Sequence, residues 1–190
     1  KCLMPVQGRP LLEYWFSILQ KAKIRNVLVN THHHSDLVID FLQRPSLVNW
    51  VKAIYEKDLL GTAGTLRVNK DFFYDSTVLL VHADNLCCCD FPKFLNFRHN
   101  ERPKGTLMTM MTFRTPKPTT CGIVEIDNDG VIQAFHEKVL NPPSNLANAA
   151  VYLIEPEIVD WILQHPKVSD FSTEVLPHFV GRIATWQNKN

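Results

Sequence analysis

A glutamate and a lysine stand side by side at the end of an apolar run, in the segment Phe135-His136-Glu137-Lys138. A glutamate carboxylate accepts hydrogen bonds from hydroxyl groups, and a lysine ammonium supplies a compact positive charge that suits a phosphate. A binding site for a phosphorylated polyol needs both kinds of group. Most Glu-Lys pairs lie on solvated surface, so this pair becomes informative only together with the rest of the chain.

Asp84 is a second candidate, because it follows the continuous apolar run of residues 76–81. In open α/β sheets, ligands bind beyond the carboxyl ends of the strands. Mg²⁺ typically takes one or two carboxylates together with phosphate oxygens. Asp84 is therefore a candidate Mg²⁺ ligand, and the alternative is that it only caps the next turn.

Glu56 and Gly61 lie between a predicted strand and a predicted helix. Glycine allows the backbone to approach a ligand closely, and a helix start presents free N–H groups. The Glu56 carboxylate could accept hydrogen bonds from a purine that presents donors, as guanine does. The alternatives are an ordinary tight turn at Gly61 and an exposed glutamate at a strand end.

Two clusters of potential metal ligands lack the spacing of metal sites. His32, His33 and His34 are consecutive, so their side chains point in different directions. The three cysteines at 87–89 lack the paired spacing of zinc sites, and adjacent cysteines rarely pair with each other, which favours a reducing cytoplasm. Strand alternation turns His136 to the opposite face from Glu137.

Composition restricts the class of protein. The chain has 190 residues, of which 45% are hydrophobic and 21% charged, as in an ordinary globular domain. Its formal net charge is +1 and it has no basic run, which argues against nucleic acid or an anionic membrane as the main partner. No apolar run reaches the roughly 18 residues that suggest a membrane span. The sequence leaves a homo-oligomer open.

The candidate residues must be positioned by strands and helices that alternate through residues 1–113. This alternation predicts an α/β fold with a Rossmann-like, mainly parallel mixed sheet and helices on both faces. A β-rich part follows at 114–190, with a hairpin turn at 127–130. We predict a single domain, 1–190. The predicted helices cover residues 10–23, 35–41, 61–68, 90–100, 156–164 and 173–180, and the predicted strands cover 26–30, 50–55, 76–81, 106–113, 123–126, 131–135, 149–154 and 182–186.

Motifs along nearly the whole chain resemble, in order, those of sugar-1-phosphate nucleotidyltransferases. The first is residues 1–13, Lys-Cys-Leu-Met-Pro-Val-Gln-Gly-Arg-Pro-Leu-Leu-Glu, in which Arg9 stands where the family often has Lys. Each motif is modest, but their joint order is specific, and the nearest likeness is to mannose-1-phosphate guanylyltransferases. The further motifs are residues 29–32, Glu56 with 60–64, 81–84, 121–125, 137–138 and 145–149.

The resemblance implies an enzyme that transfers a nucleotidyl group from a nucleoside triphosphate to a sugar-1-phosphate, with Mg²⁺ as cofactor. It makes residues 1–113 the nucleotide-binding part and 114–190 the sugar-binding part. His82 stands where the family often has Asn or Gly. The implied catalytic residues are Lys1, Asp84 and Lys138, with Asp84 as metal ligand; the nucleotide would be bound by Lys1, Glu56, Gly61 and Thr62, and the sugar phosphate by Gly122, Glu137, Lys138 and Asn148.

The base and the sugar stay open at this point. GTP and mannose-1-phosphate, for polysaccharide synthesis, are expected first. A glucose-1-phosphate thymidylyl- or uridylyltransferase, or a non-catalytic sugar-nucleotide-binding regulatory subunit, are the alternatives. The family also has a Gly-rich loop before the first motif and a second metal-binding Asp after the last strand, and we expect both to lie outside residues 1–190.

Overall fold

The computed structural model describes residues 1–73 and 75–189, which form two compact units. The first unit comprises Lys1–Gly61 and Ala83–Cys87, and the second comprises Thr62–His82 and the chain from Cys88 onward. The predicted parts, 1–113 and 114–190, do not coincide with these units. The reason is that strands before residue 114 pair with a strand at 146–154, so they belong to the same unit.

The first unit is built from short strands and two helices. A tight turn joins the two-residue strands β1 and β2, and its central residues Gln7 and Gly8 have φ of 49° and 80°. β3 and β4 pair in parallel, with Val27 opposite Val51. The elements are β1 (Pro5–Val6), β2 (Arg9–Pro10), α1 (Leu11–Lys21), β3 (Val27–Thr31), α2 (Ser35–Leu42) and β4 (Val51–Tyr55).

Helix α1 organises the core of the first unit. Its apolar residues recur at helical spacing, so they form one buried stripe. The Phe16 ring stacks on Phe41 at 6.4 Å between centroids and meets the edge of Trp50 at 5.6 Å. On the same helix, the Trp15 indole N–H donates a 2.8 Å hydrogen bond to the carbonyl of Asn85, which holds the segment that carries Asp84.

The second unit contains one sheet and the helices packed on it. The strand order is β10-β6-β9-β7-β8, and β5 also pairs with β9. The elements are α3 (Gly61–Val68), α4 (Lys70–Phe73), β5 (Val78–Val81), α5 (Phe91–Asn100), β6 (Met108–Arg114), a 3₁₀ turn (Pro118–Thr120), β7 (Gly122–Ile126), β8 (Ile132–Glu137), β9 (Leu146–Ile154), α6 (Pro156–Gln164), a π-helical segment (Phe171–Val175), α7 (Leu176–His178) and β10 (Ile183–Gln187).

Strand β9 is the central strand of this sheet. One edge pairs with β6, and the other pairs with β5 through Val151–Ile154 and with β7 at Ala147. The α/β class and the mixed sheet are confirmed. Parallel pairing is less frequent than predicted, however: among the described strands it joins only β3 to β4 and β6 to β10, because the β7–β8 hairpin and β9 enter the sheet antiparallel.

Both faces of the sheet in the second unit are covered. On one face, Met110 of β6 and Tyr152 of β9 belong to a buried cluster with Ile158 of α6. On the other face, the Phe94 ring of α5 contacts Trp186 of β10 at 5.5 Å. Side chains alternate along a strand, so these contacts lie on opposite sides of the sheet. The prediction of helices on both faces is confirmed for this unit.

Most predicted elements are present, with boundaries that differ by a few residues. The predicted helix at 173–180 is instead a π-helical segment followed by the short α7, and the Asp170 carboxylate accepts a hydrogen bond from the Thr173 N–H at its start. Helix α2 begins at Ser35 as predicted, and His34 precedes it with a left-handed φ of 53°. Helix α4 was not predicted.

Candidate active site

Lys1 and Asp84 are brought together in the first unit. The Lys1 Nζ lies 3.8 Å from Asp84 Oδ2, and the side chains are 82% and 42% exposed, so both are accessible to a ligand. An accessible ammonium suits a phosphate, and an accessible carboxylate oxygen suits a hard cation. The described residues contain no cluster of three or more His, Cys, Asp or Glu side chains able to hold a metal, so Mg²⁺ at Asp84 would take its other ligands from phosphate oxygens, from water or from residues outside the described ranges.

Glu56 is buried, with 5% of its surface exposed, so the alternative of an exposed glutamate at a strand end is wrong. Its backbone continues the β3–β4 pairing: the N–H donates to the Thr31 carbonyl at 2.8 Å. Its carbonyl lies 2.8 Å from Nδ1 of His32, and its Oε2 lies 3.5 Å from the N–H of Leu60. A buried carboxylate at the end of a strand can recognise donors of a base with little competition from water.

Gly61 and Thr62 begin helix α3. Gly61 has φ of 74°, a left-handed conformation that favours glycine. Within the second unit, the Thr62 hydroxyl oxygen accepts a 2.8 Å hydrogen bond from the Phe171 N–H, and the Ala63 N–H donates to the carbonyl of Ser169. Thr62 therefore has a structural role, and its predicted contact with the nucleotide stays a prediction.

Gly122 and Glu137 face each other across the β7–β8 hairpin of the second unit. A Cβ atom added to Gly122 would lie 2.8 Å from Glu137 Oε2 and 2.8 Å from the ring of Phe135. Both distances are too short for non-bonded contact. Glycine at 122 thus leaves the space in which the Glu137 carboxylate and the Phe135 ring lie.

Lys138 directly follows strand β8 and has a left-handed φ of 49°. Its backbone N–H donates to the Cys121 carbonyl at 3.3 Å, which fixes it beside the start of β7. Its Nζ lies 3.5 Å from Glu137 Oε1, and its side chain is 65% exposed. The carboxylate and the ammonium predicted from sequence are therefore adjacent, and the ammonium is accessible.

Asn148 lies on β9, opposite Thr112 of β6, and is half-buried. Its Nδ2 donates a 2.6 Å hydrogen bond to the hydroxyl of Tyr152, and its Oδ1 accepts one from the Ala150 N–H at 2.8 Å. Burial raises the pKa of Tyr152 to about 12, although hydrogen bonds from Asn148 and Ser172 act the other way. The negative charge of Glu137 also raises this pKa, so the two side chains share one neighbourhood.

The sequence reading did not single out Tyr152. No signal in the sequence pairs it with Asn148, because the register shift between the two positions breaks the simple alternation of side chains along β9. His136, in contrast, places Nε2 2.7 Å from Glu125 Oε1, away from Gly122, which confirms its predicted orientation.

Two cationic side chains lie at the carboxyl ends of the parallel strands β6 and β10. Arg114 follows Thr112 by two residues on β6, and its Nη1 donates a hydrogen bond to Asn145 Oδ1 at 2.5 Å. Lys189 follows β10. A shallow hollow of about 310 Å³ lies here, lined by Phe113, Arg114, Gln187, Asn188 and Lys189.

Comparison with known proteins finds relatives at about a quarter sequence identity. A mannose-1-phosphate guanylyltransferase from Mycobacterium tuberculosis is 28% identical over 178 residues, which are 93% of this chain and 48% of that protein. A UTP–glucose-1-phosphate uridylyltransferase from a Synechocystis strain is 27% identical over an alignment of 178 residues, and the match covers 85% of this chain and 45% of that protein. The chain spans about half the length of these relatives.

Solved structures show the same fold. The crystal structure of HddC from Yersinia pseudotuberculosis complexed with GMP-PN superposes with a TM-score of 0.80 at 20% identity, and the match covers 99% of this chain and 80% of that one.

None of the helices in the described residues has the length and apolar character needed to cross a membrane. The sequence also matches the family described as nucleotidyl transferase over residues 1–186, almost its entire length. The chain therefore belongs to the nucleotidyl transferase family.

Proposed function

We propose that the protein transfers a nucleotidyl group from a nucleoside triphosphate to a sugar-1-phosphate, with release of pyrophosphate. The observation that carries the proposal is the arrangement at the end of the β7–β8 hairpin. There Glu137 offers a carboxylate for sugar hydroxyls, and Lys138 offers an accessible ammonium 3.5 Å away for the phosphate. This is the pair of groups that a phosphorylated sugar requires.

The nucleotide would be bound mainly by residues of the first unit. Lys1 would contact its phosphates, and Glu56 and Gly61 would contact the base. Thr62, the next residue in the first turn of α3, would also contact the nucleotide. The Asp84 carboxylate would hold Mg²⁺, whose chemistry there is to offset negative charge on the phosphates.

The reaction would be an in-line displacement. A phosphate oxygen of the sugar-1-phosphate attacks the α-phosphorus of the triphosphate, a new P–O bond forms, and the bond to the leaving pyrophosphate breaks. The attacking oxygen is already anionic, so no general base is needed. The residues of the chain must instead align the reactants and offset their charge. Lys138 would orient and neutralise the attacking phosphate, and Lys1 would neutralise the phosphates of the nucleotide.

GTP and mannose-1-phosphate are the reactants we propose first, giving GDP-mannose for polysaccharide synthesis. A buried carboxylate at Glu56 can accept hydrogen bonds from N1–H and the exocyclic amine of guanine. Several of the related sequences are named mannose-1-phosphate guanylyltransferases or guanyltransferases. One is named for UTP and glucose-1-phosphate, so the choice of base and sugar needs a direct test.

That test is a pyrophosphate-release assay with Mg²⁺ on the full-length protein that contains this chain. Four nucleoside triphosphates are each combined with mannose-1-phosphate and glucose-1-phosphate. We expect the greatest activity with GTP and mannose-1-phosphate. Folded protein that releases no pyrophosphate with any combination would reject the enzyme, and binding of a nucleotide sugar without turnover would instead indicate a regulatory subunit.

Variants at the proposed site sharpen this test. Removing a charge-assisted hydrogen bond costs about 1.5–3 kcal/mol, so Lys138→Ala should raise KM for the sugar-1-phosphate roughly 10- to 100-fold and change KM for the triphosphate little. Lys104→Ala, which removes an exposed lysine of the same unit, is the matched control and should leave both constants unchanged. Equal increases of both KM values in Lys138→Ala would contradict the assigned role.

Asp84→Asn tests the proposed metal ligand separately. An amide keeps the shape of the side chain but removes its charge, so it binds Mg²⁺ poorly. We expect kcat to fall by on the order of 10²–10³. Activity close to that of the wild type would remove Asp84 from the metal site.

A further inference from the structure

The side-chain amide of Asn148 is held in one orientation by two hydrogen bonds. Its Oδ1 accepts from the Ala150 N–H at 2.8 Å, and its Nδ2 donates to the Tyr152 hydroxyl at 2.6 Å. A backbone N–H can only donate, so the amide atom that faces it must be the oxygen. This decides between the two ways in which an asparagine amide can be placed.

Tyr152 provides a rigid support for this amide. Only 1% of its surface is exposed, and its ring packs against Phe171 at 5.1 Å between centroids. Ser172 lies close enough to this hydroxyl to affect its pKa. Because burial raises the pKa of the phenol to about 12, the hydroxyl stays protonated and neutral at any working pH, and its oxygen accepts the hydrogen bond from Asn148.

One N–H of the Asn148 amide is left over. The Nδ2 atom carries two hydrogens, and within the described residues one hydrogen bond is donated from it, to Tyr152. Asn148 is half-buried, so the second N–H can still reach a ligand. The oxygen of the amide, in contrast, is occupied by Ala150. Asn148 therefore offers a donor and no acceptor.

The neighbouring strand places Glu137 within reach of the same ligand. Gly122 of β7 lies opposite Glu137, and the next residue, Ile123, lies opposite Ala147. Asn148 and Glu137 thus flank the start of β7 from its two sides. Glu137, when ionised, can only accept hydrogen bonds, so the two side chains present opposite polarities.

We propose that Tyr152 is a positioning residue: by holding the Asn148 amide, it makes Asn148 a hydrogen-bond donor toward a hydroxyl oxygen of the sugar-1-phosphate, while Glu137 accepts from another hydroxyl. The inference rests on the proposed function. It adds a residue that does not touch the substrate, and it assigns a polarity to the site: the bound sugar must present an acceptor oxygen to β9 and a donor hydroxyl to β8.

The decisive variant is Tyr152→Phe, assayed in the full-length protein with mannose-1-phosphate and GTP, or with the pair that the wild type uses best. Phenylalanine keeps the packing but removes the hydroxyl, so the Asn148 amide loses one of its two supports. We expect KM for the sugar-1-phosphate to rise about 3- to 10-fold, the change that corresponds to one hydrogen bond. KM for the triphosphate should change less than about twofold. Tyr14→Phe, which removes the hydroxyl that donates to the Val6 carbonyl, is the matched control and should leave the sugar-1-phosphate KM unchanged.

A panel of monodeoxy analogues of the same sugar-1-phosphate supplies a readout that loss of stability alone would not produce. For the wild type, the analogue that lacks the hydroxyl facing Asn148 should bind about 3- to 10-fold less tightly than the parent compound. For Tyr152→Phe, this difference should shrink or disappear, while the differences for the other analogues stay the same.

Asn148→Asp decides the matter if Tyr152→Phe does not fold. The carboxylate can still accept from the Ala150 N–H, and the Tyr152 hydroxyl can turn to donate to it, so both internal hydrogen bonds survive. It cannot donate to the sugar, and we expect KM for the sugar-1-phosphate to rise at least as much as in Tyr152→Phe. If the wild type is active and both variants keep its KM values and its deoxy-analogue profile, the inference is overturned and the proposed function stands. A folded but inactive wild type would overturn the proposed function and the inference with it.

Discussion

At Gly122 the backbone of β7 lies close against side chains of β8. A methyl group added there would meet both the Glu137 carboxylate and the Phe135 ring at 2.8 Å, and Phe135 packs against the buried cluster of the second unit. The ring has little room to move, so the glutamate must shift. A residue without a side chain is therefore required for the position of Glu137.

Gly122→Ala should consequently affect both stability and substrate binding. Overpacking of this kind costs about 1–3 kcal/mol, which chemical denaturation would detect. If Glu137 binds sugar hydroxyls, KM for the sugar-1-phosphate should rise as well, and KM for the triphosphate should not. Glu137→Gln, which keeps the size of the side chain, separates the two effects because it should raise the same KM with little loss of stability. A destabilised Gly122→Ala variant with normal sugar-1-phosphate KM would show that the displaced carboxylate does not bind substrate.

Among the elements, strand β9 contains a bulge that the sequence does not predict. Between Met110 and Thr112 of β6 the register shifts, so that these two positions face Tyr152 and Asn148 of β9, and Ala150 in this stretch has a left-handed φ of 54°. Alanine in this conformation is strained by about 1 kcal/mol or more, whereas glycine is not. The same bulge brings the Ala150 N–H to Asn148.

Ala150→Gly should therefore stabilise the protein. The relief of strain exceeds the entropy that glycine loses on folding, and we expect the free energy of unfolding to rise by up to about 1 kcal/mol. The hydrogen bond to the Asn148 side chain is donated by the backbone N–H of residue 150, so the substitution keeps it. Ala147→Gly in the same strand, where φ is not positive, is the control and should destabilise. If urea titrations show both variants to be destabilised equally, the strain at Ala150 is not significant.

Periodicity was sufficient to predict most helices and strands. The apolar stripe of α1 predicts a helix, and the apolar runs of β5 and β6 predict buried strands, because each pattern matches residues that are buried in the fold. Prediction failed at two helical elements. The π-helical segment at 171–175 depends on a local hydrogen bond to the Asp170 side chain, and the four-residue helix α4 is too short to show a period.

The proximity of candidate site residues follows from the sequence only where they are neighbours in the chain. Glu137 and Lys138 are neighbours in the chain, so their proximity follows from sequence. Nothing local relates Lys1 to Asp84: family motifs gave the two residues separate roles, and their 3.8 Å approach is seen only in the structure. Tyr152 was missed because its part depends on the bulge in β9, and no side-chain pattern predicts a bulge.

At the scale of the whole molecule, the order of the strands in the sheet could not be predicted from the sequence. The change from an α/β pattern to a β-rich pattern at residue 114 suggested a boundary there, but β9 lies between β6 on one side and β5 and β7 on the other. Contacts between residues far apart in the chain therefore hold the second unit together. Glu155, at the end of β9, shows this most directly.

Glu155 is buried and joins distant parts of the second unit. Its carboxylate accepts two hydrogen bonds from the Arg98 guanidinium, at 2.6 and 2.7 Å, one from Arg102, and one from the Thr77 hydroxyl at 3.1 Å. Burial acts to raise the pKa of Glu155, but the hydrogen bonds and charges of Arg98 and Arg102 outweigh it and lower the pKa from 4.5 to about 2. The folded protein thus keeps this carboxylate ionised under conditions in which the unfolded chain protonates it.

The pH dependence of stability follows from the sign of this shift. With a folded pKa below the unfolded value, the contribution of Glu155 is complete above about pH 4.5 and is lost as the pH falls toward 2. Glu155→Gln removes the charge and leaves two arginines without their partner, which should lower the free energy of unfolding at pH 7 by on the order of 3 kcal/mol. The variant and the wild type should approach each other in stability as the pH falls from 4.5 toward 2, in denaturation curves recorded across that range. Glu13→Gln, which breaks an exposed pair with Arg9, should cost less than about 1 kcal/mol and serves as the control. If the difference in free energy of unfolding between Glu155→Gln and the wild type stays constant down to pH 2, the charge of Glu155 does not stabilise the folded protein through its ion pairs.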